Sequence, residues 1–495
     1  MSKPEDGGII FPSNSMNNII YPTVDLFLYD LRDGLGDNPD KVQENWDNFK
    51  QKLPETLHDR LKFDSGFESE YEELLPKEDE FYQFSGYEGF YYPVRMSDMY
   101  GLLLDCSVSD KRTAQPAKCI KQIKAEINRR LRETSATLGQ TWLIYGQLPH
   151  PGQNPKDVAQ ICYNALFPWA NWQDDFQGQG HLLGGTVFEL DSFKLLLQET
   201  VNKSEDSAAS KSRCFDSHHV IIILYPTDNA AKAGAELMYD WMRLFAYRAK
   251  ILWAYGQTRE LKHYLKQDYI TIQDCLRQIR GNEHENLPLS QLKDILNQAR
   301  SIVSDYTIDV DELGYQLRTI AINLDNYKKR SEIIAKKLKS EEFSAFATQP
   351  TDIAFLANFS NLVTEKYLLQ VEKDYENLSP GLQRLEFAIA TIRGLVEVDR
   401  ARQERRFQNN LTIFGWGLAA AAIVASLSPQ FPYVTVPGEV LTTEVTPDTE
   451  AIASVESNPS LSASWNAPVL SLGYSLAAGL LFMAIASFCI KQKEQ

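Results

Sequence analysis

The densest grouping of residues able to do chemistry is Trp169-Ala-Asn-Trp172-Gln-Asp174-Asp175, followed by Gly178, Gly180, Gly184 and Gly185. Adjacent carboxylates beside aromatic rings suit a cation or a small ligand, which makes Asp174 and Asp175 a candidate ligand site. A structural loop accounts for the same residues. Gly178-Gln-Gly180 precedes a strand instead of following one, so the dinucleotide fingerprint is not met. His218-His219 abuts the apolar run Val220–Tyr225. Neighbours on a strand point to opposite faces, so the two imidazoles make a poor chelate. Tyr29-Asp30-Leu31-Arg32-Asp33-Gly34-Leu35-Gly36 reads as a strand ending in a glycine turn. A P-loop, HExxH, GxSxG and the kinase set do not occur, and no residue is assigned a catalytic role.

Charge and cysteine usage narrow the classes further. The net charge of -16 argues against nucleic acid, which needs clustered Lys and Arg. Six cysteines (Cys106, Cys119, Cys162, Cys214, Cys275 and Cys489) are scattered without a CxxC or a Cys/His cluster. Neither a disulfide framework nor a zinc site is signalled. No metal ligand set is assigned.

The elements that must position these residues fall into two textures. After a disordered N-terminus (1–23), residues 24–228 read as a cytoplasmic α/β domain. Its strands are expected at Val24–Leu31, Tyr91–Arg95, Gly101–Val108, Thr141–Tyr145, Thr186–Leu190 and Val220–Tyr225, with a helix at Lys118–Thr134. Val220–Tyr225 is apolar throughout and suits a sheet centre. Residues 229–410 read as a long-helix bundle and stalk. Asn229–Arg280 is expected as one helix with a coiled-coil rhythm, on which Arg248 suggests an inter-helix ion pair. Helices at Leu287–Ser304, Glu312–Lys339 and Thr351–Asn377 follow, punctuated by Pro350 and Pro380.

Two uncharged apolar runs, 411–428 and 467–490, close the chain. Arg400, Arg402, Arg405 and Arg406 precede the first, and Lys491 and Lys493 lie in the tail, 491–495. A spanning helix needs roughly 20 apolar residues, and flanking basic residues stay inside. The expectation is a transmembrane hairpin in an inner or plasma membrane, with both termini cytoplasmic and the lipid bilayer as a partner. The extracytoplasmic loop, 429–466, carries Glu439, Glu444, Asp448 and Glu450 as candidates for attracting cations. The seam Leu382, Leu385, Ile389, Ile392 and Val396 continues in register into the first run. A homo-oligomeric ring of such helices would enclose a path past Asn409, Asn410, Ile413, Gly417, Ala420 and Val424. A packed anchor interface accounts for the same small residues.

This layout, from about Val24 to Gln495, resembles the CorA-like metal-ion transporter superfamily. The resemblance is one of layout: the Gly-Met-Asn signature is absent, and the corresponding stretch reads Ser426-Leu427-Ser428-Pro429-Gln430-Phe431-Pro432. It implies an oligomeric, pentameric cation channel or transporter gated by its cytoplasmic domain. A divalent cation would be the permeant or regulatory ion, with no other cofactor. The competing expectation is a membrane-anchored sensor or stress or defence effector without ion transport.

Overall fold

The computed structural model describes residues 17–62, 70–76, 81–84, 87–195, 215–281, 289–346 and 350–427, with the single positions 477, 480, 481, 484 and 485. The chain divides into two compact units, Met1–Gln273 with Ser301–Glu386, and Asp274–Arg300 with Phe387–Gln495.

The first unit opens with β1 (Asn18–Leu31), α1 (Pro39–Lys50) and α2 (Glu55–His58). Four strands follow: β2 (Tyr71–Glu73), β3 (Phe81–Phe84), β4 (Tyr87–Met96) and β5 (Met99–Val108), with the short β6 (Ala114–Pro116) leading into α3 (Ile120–Arg130). Next come β7 (Gly139–Gln147), α4 (Pro155–Leu166), α5 (Trp172–Asp175), β8 (Phe176–Leu182), β9 (Gly185–Leu195) and β10 (Phe215–Tyr225). The described strands form one sheet in the order β2-β4-β5-β1-β7-β10-β9-β8, with β3 on β4 and β6 on β1. β7 and β10 pair in parallel, with Trp142 beside Val220, whereas the other pairs are antiparallel.

Alternation along β1 shows why the sheet is covered on both sides. Leu26 and Leu28 join Trp142, Ile144, Val220 and Ile222 in a core with Ile120, Ile123 and Ile127 of α3 and Val158 and Cys162 of α4. Phe27 and Tyr29 point the other way, toward the helix that follows β10 and a short connecting helix. Those helices are α6 (Asp228–Ala235) and α7 (Met238–Gly281). Phe27 packs edge-on to Phe245 at 5.2 Å, and Tyr29 Oη donates to the Met242 carbonyl at 2.9 Å. The expected single helix from Asn229 is therefore two. Gly234, in the last turn of the first, lies beneath Tyr225, whose hydroxyl occupies the space that a Cβ would need.

The remaining helices are α8 (Leu289–Leu338), α9 (Glu341–Ser344), α10 (Leu356–Leu362) and α11 (Leu369–Leu427), the last two joined by a π-helical stretch at Val363–Leu368. Two expected helices fuse into α8, because Tyr306, Val310 and Leu313 are buried and hold the acidic, β-branched stretch between them helical. Pro380 lies inside α11 instead of ending a helix, and Tyr306 Oη donates to the nearby Leu378 carbonyl at 2.8 Å. Along α11, Leu385, Ile392 and Val396 of the expected seam are buried.

The transmembrane hairpin is not upheld. Among the described residues no helix is long and apolar enough to cross a membrane. The apolar end of α11, from Leu411, follows directly on a segment dense in charge, with Arg400, Arg402, Glu404, Arg405 and Arg406. With the hairpin go the expectations built on it: a CorA-like membrane architecture, ion transport through a channel, and an integral inner- or plasma-membrane location. Asn409, Asn410, Ile413, Gly417, Ala420 and Val424 all fall on α11, with Asn409 and Ile413 half-buried. The loop candidates Glu439, Glu444, Asp448 and Glu450 lie outside the described residues.

Candidate ligand site

The α3–α4 face of the sheet carries a cavity of about 390 Å³. Leu26 of β1, Gln140 and Trp142 of β7 and His218 of β10 form its floor. Lys124 and Asn128 of α3, with Glu133 and Thr134 just beyond that helix, stand on one side, and Phe167 and Trp169, just past α4, on the other. A volume in this range suits a small-molecule ligand, for which roughly 300–1,000 Å³ is usual. A second concavity, between α8 and α10, is lined by Lys328, Lys339, Glu332 and Asp352. No aromatic ring lines it among the described residues, so the aromatic-walled cavity is the stronger candidate for a flat ligand.

Lys124 sits one turn after Ile120 and one before Ile127, which places it on the buried side of α3. Its Nζ donates to the Leu166 carbonyl at 2.6 Å, at the C-terminal end of α4, where helix carbonyls lack partners. The ammonium lies 4.1 Å from the Phe167 ring centre, 5.2 Å from Trp169 and 5.6 Å from Trp142. Such contacts contribute about 0.5–2 kcal/mol each, depending on exposure. No carboxylate pairs with Lys124 among the described residues, and desolvation by itself pulls the amine down to about 8.

His218 stacks on Phe167 at 4.6 Å, and its Nε2 lies 2.9 Å from Tyr163 Oη. Tyr163 Oη donates to Asp175 Oδ2 at 2.7 Å. A phenol has one proton, so His218 Nε2 must carry hydrogen and donate to Tyr163, an assignment made from the network. Burial, then the Asp175 carboxylate, pushes the Tyr163 phenol up, which keeps it a donor. Asp175 also accepts from the Asn171 amide at 3.2 Å. Asp174 faces the other way, exposed, and accepts from Asn171 Nδ2 at 2.8 Å. The two acids that the sequence singles out are thus not brought together: one backs the cavity through Tyr163 and His218, and the other holds the side chain of Asn171, the N-cap of α5.

His219 faces the opposite side of the sheet. Its Nδ1 lies 3.0 Å from Thr141 Oγ1 and its Nε2 3.1 Å from Glu189 Oε1. Burial first and Arg248 second hold this imidazole well below its usual range, so it is neutral. Burial raises the Glu189 carboxyl to about 7 against the opposing pull of Arg248. Arg248 of α7 contacts Asp191 of β9 at 2.7 Å and lies over the Phe359 ring at 4.0 Å. The ion pair expected between helices is therefore made to a strand. Asp30 is equally structural: it pairs with buried Lys52 at 3.1 Å and accepts from the Thr137 amide at 2.8 Å.

The glycines of the aromatic-rich loop have a packing role. Gly178 and Gly180 lie within β8, and His181 forms an antiparallel bridge with Asp352. A Cβ on Gly180 would overlap the Asp352 carbonyl and the Phe355 ring. Sequence reasoning missed Lys124, Trp142 and Phe167. The usable signal was a lysine on the apolar face of an amphipathic helix, together with the aromatic density of Phe167 to Trp172. Among the described residues, no group of three or more His, Cys, Asp or Glu is placed to hold a metal ion.

No protein-family model matches this chain, and no curated protein matches it. Among solved structures, the chain is similar to one described as "structure of the full-length CmaX protein", at 10% identity, covering 70% of this chain and 89% of that one. The TM-score is 0.23, a likeness that carries no argument about fold or activity.

Proposed function

We propose that the first unit is a receptor for a small, flat, anionic molecule, and that occupancy is read by helices on the far side of the sheet. The observation that carries this reading is the Lys124 ammonium, set among aromatic rings at the cavity and paired with no carboxylate among the described residues, although Glu133 also lines the cavity. A half-buried cation of this kind gains from an anion brought in by a ligand, and Trp142, Phe167 and Trp169 supply stacking surfaces for a ring. The reporting side is β10, whose adjacent histidines touch the cavity with one imidazole and the Arg248 cluster with the other. Differential affinity for two arrangements of that strand would shift their populations.

Naphthoate titrated into the full chain, followed by tryptophan fluorescence, tests the reading. Saturable quenching is expected from Trp142 and Trp169. Lys124→Met should weaken binding by about tenfold or more, the loss of one charge-assisted contact. Quenching that never saturates, or that Lys124→Met leaves unchanged, would refute it.

A further inference from the structure

We propose that Lys124 captures its ligand covalently, its amine forming a reversible imine with a flat, anionic aldehyde seated in the cavity. This rests on the reading of the pocket as an anion receptor and adds bond formation to it.

Three buried or half-buried lysines allow a comparison. Lys52 pairs with Asp30 at 3.1 Å and Lys250 with Asp98 at 2.8 Å, so each has a carboxylate as its ion-pair partner. Lys124 is held instead by a neutral carbonyl, Leu166 O at 2.6 Å, and by ring faces. Burial therefore pulls its amine down to about 8. A minor but far larger neutral fraction is then present near physiological pH than for an exposed lysine, the condition that activates a lysine as a nucleophile. Capping the end of α4 is the structural role available to this residue, and it needs a single N–H. A neutral amine has two N–H bonds and a lone pair, so it can keep the Leu166 contact and still attack.

The step balances without an oxidant or reductant. The amine lone pair forms a C–N bond to the carbonyl carbon, and the C=O π pair moves to oxygen, which takes up a proton. The resulting carbinolamine loses a proton from nitrogen and its hydroxyl as water, leaving C=N. His218, on the same cavity and hydrogen-bonded to Tyr163 at 2.9 Å, is placed to relay that proton. The aromatic walls that seat the ring also shield the imine from water.

The test incubates the full chain with a sub-stoichiometric amount of para-formylbenzoate, reduces with borohydride, and maps adducts by mass spectrometry. Lys124 should be labelled about tenfold faster than the exposed Lys111 and Lys118, as expected of an activated amine. Lys124→Arg should retain saturable naphthoate quenching and lose the adduct. Saturable naphthoate quenching in the wild type with no preference for Lys124 would overturn the imine and leave the receptor reading standing. Absence of both quenching and labelling would overturn both.

Discussion

Asp25 and Asp105 face each other directly across β1 and β5, buried, with no lysine or arginine in the pair. Like charges in such a place cannot both ionise at low cost. Burial first and the neighbouring carboxylate second hold Asp25 well above the usual carboxylate range, and burial raises Asp105 to about 6. Tyr145 Oη lies 3.5 Å from Asp105 and partly opposes the rise. Through Asp105 the folded state binds more protons than the unfolded chain between about pH 4 and pH 6, and Asp25 acts in the same direction, so the pair's contribution falls as pH rises through that window. Asp105→Asn mimics the protonated acid. It should raise stability by about 2 kcal/mol near pH 8 and by almost nothing near pH 4. Urea unfolding at the two pH values checks this, and a gain of equal size at both would show that the pair does not titrate as described.

At the scale of elements, the close approach between β8 and the Asp352–Phe355 segment decides what the glycines do. Gly180→Ala puts a methyl group onto a backbone carbonyl that cannot rotate away, at a cost of about 1–3 kcal/mol. The His181 amide, which donates to Asp352 O at 2.7 Å, should lose hydrogen-exchange protection. Gly152→Ala, whose Cβ would meet nothing within 4 Å, serves as the control. Unchanged stability in Gly180→Ala would remove the packing account. The six strands expected from apolar runs are present, because alternation along Val24–Leu31 and the unrelieved Val220–Tyr225 each have one economical burial. β8 was illegible, since Phe-Gln-Gly-Gln-Gly-His-Leu has the composition of a loop; it is held by pairing with β9 and by a bridge to Asp352, about 170 residues away in sequence. The join within α8 was hidden for a similar reason: local propensity disfavoured helix and tertiary burial restored it. For the site, the His218–His219 alternation was readable from strand geometry. The aromatic setting of Lys124 was not, because it is assembled from α3, β7 and the segment after α4.

For the whole molecule, the receptor reading requires that the two faces of the sheet communicate. Arg248→Met leaves every cavity residue in place while breaking the contact with Asp191, and should change naphthoate affinity by about 1 kcal/mol or more. Equal affinity in the variant and the wild type, measured by titration, would show the faces to be energetically separate and reduce the first unit to a simple binder. The parallel β7–β10 ladder has a consequence in time as well as in space. It is the pairing that sets Trp142 and His218 on one floor, and it joins strands separated along the chain by α4, α5 and the β8–β9 hairpin. Such non-local closures are slow steps in refolding. A chain caught before that closure would hold Lys124 and His218 apart, so quenching by naphthoate doubles as a clock for the last assembly event of this unit.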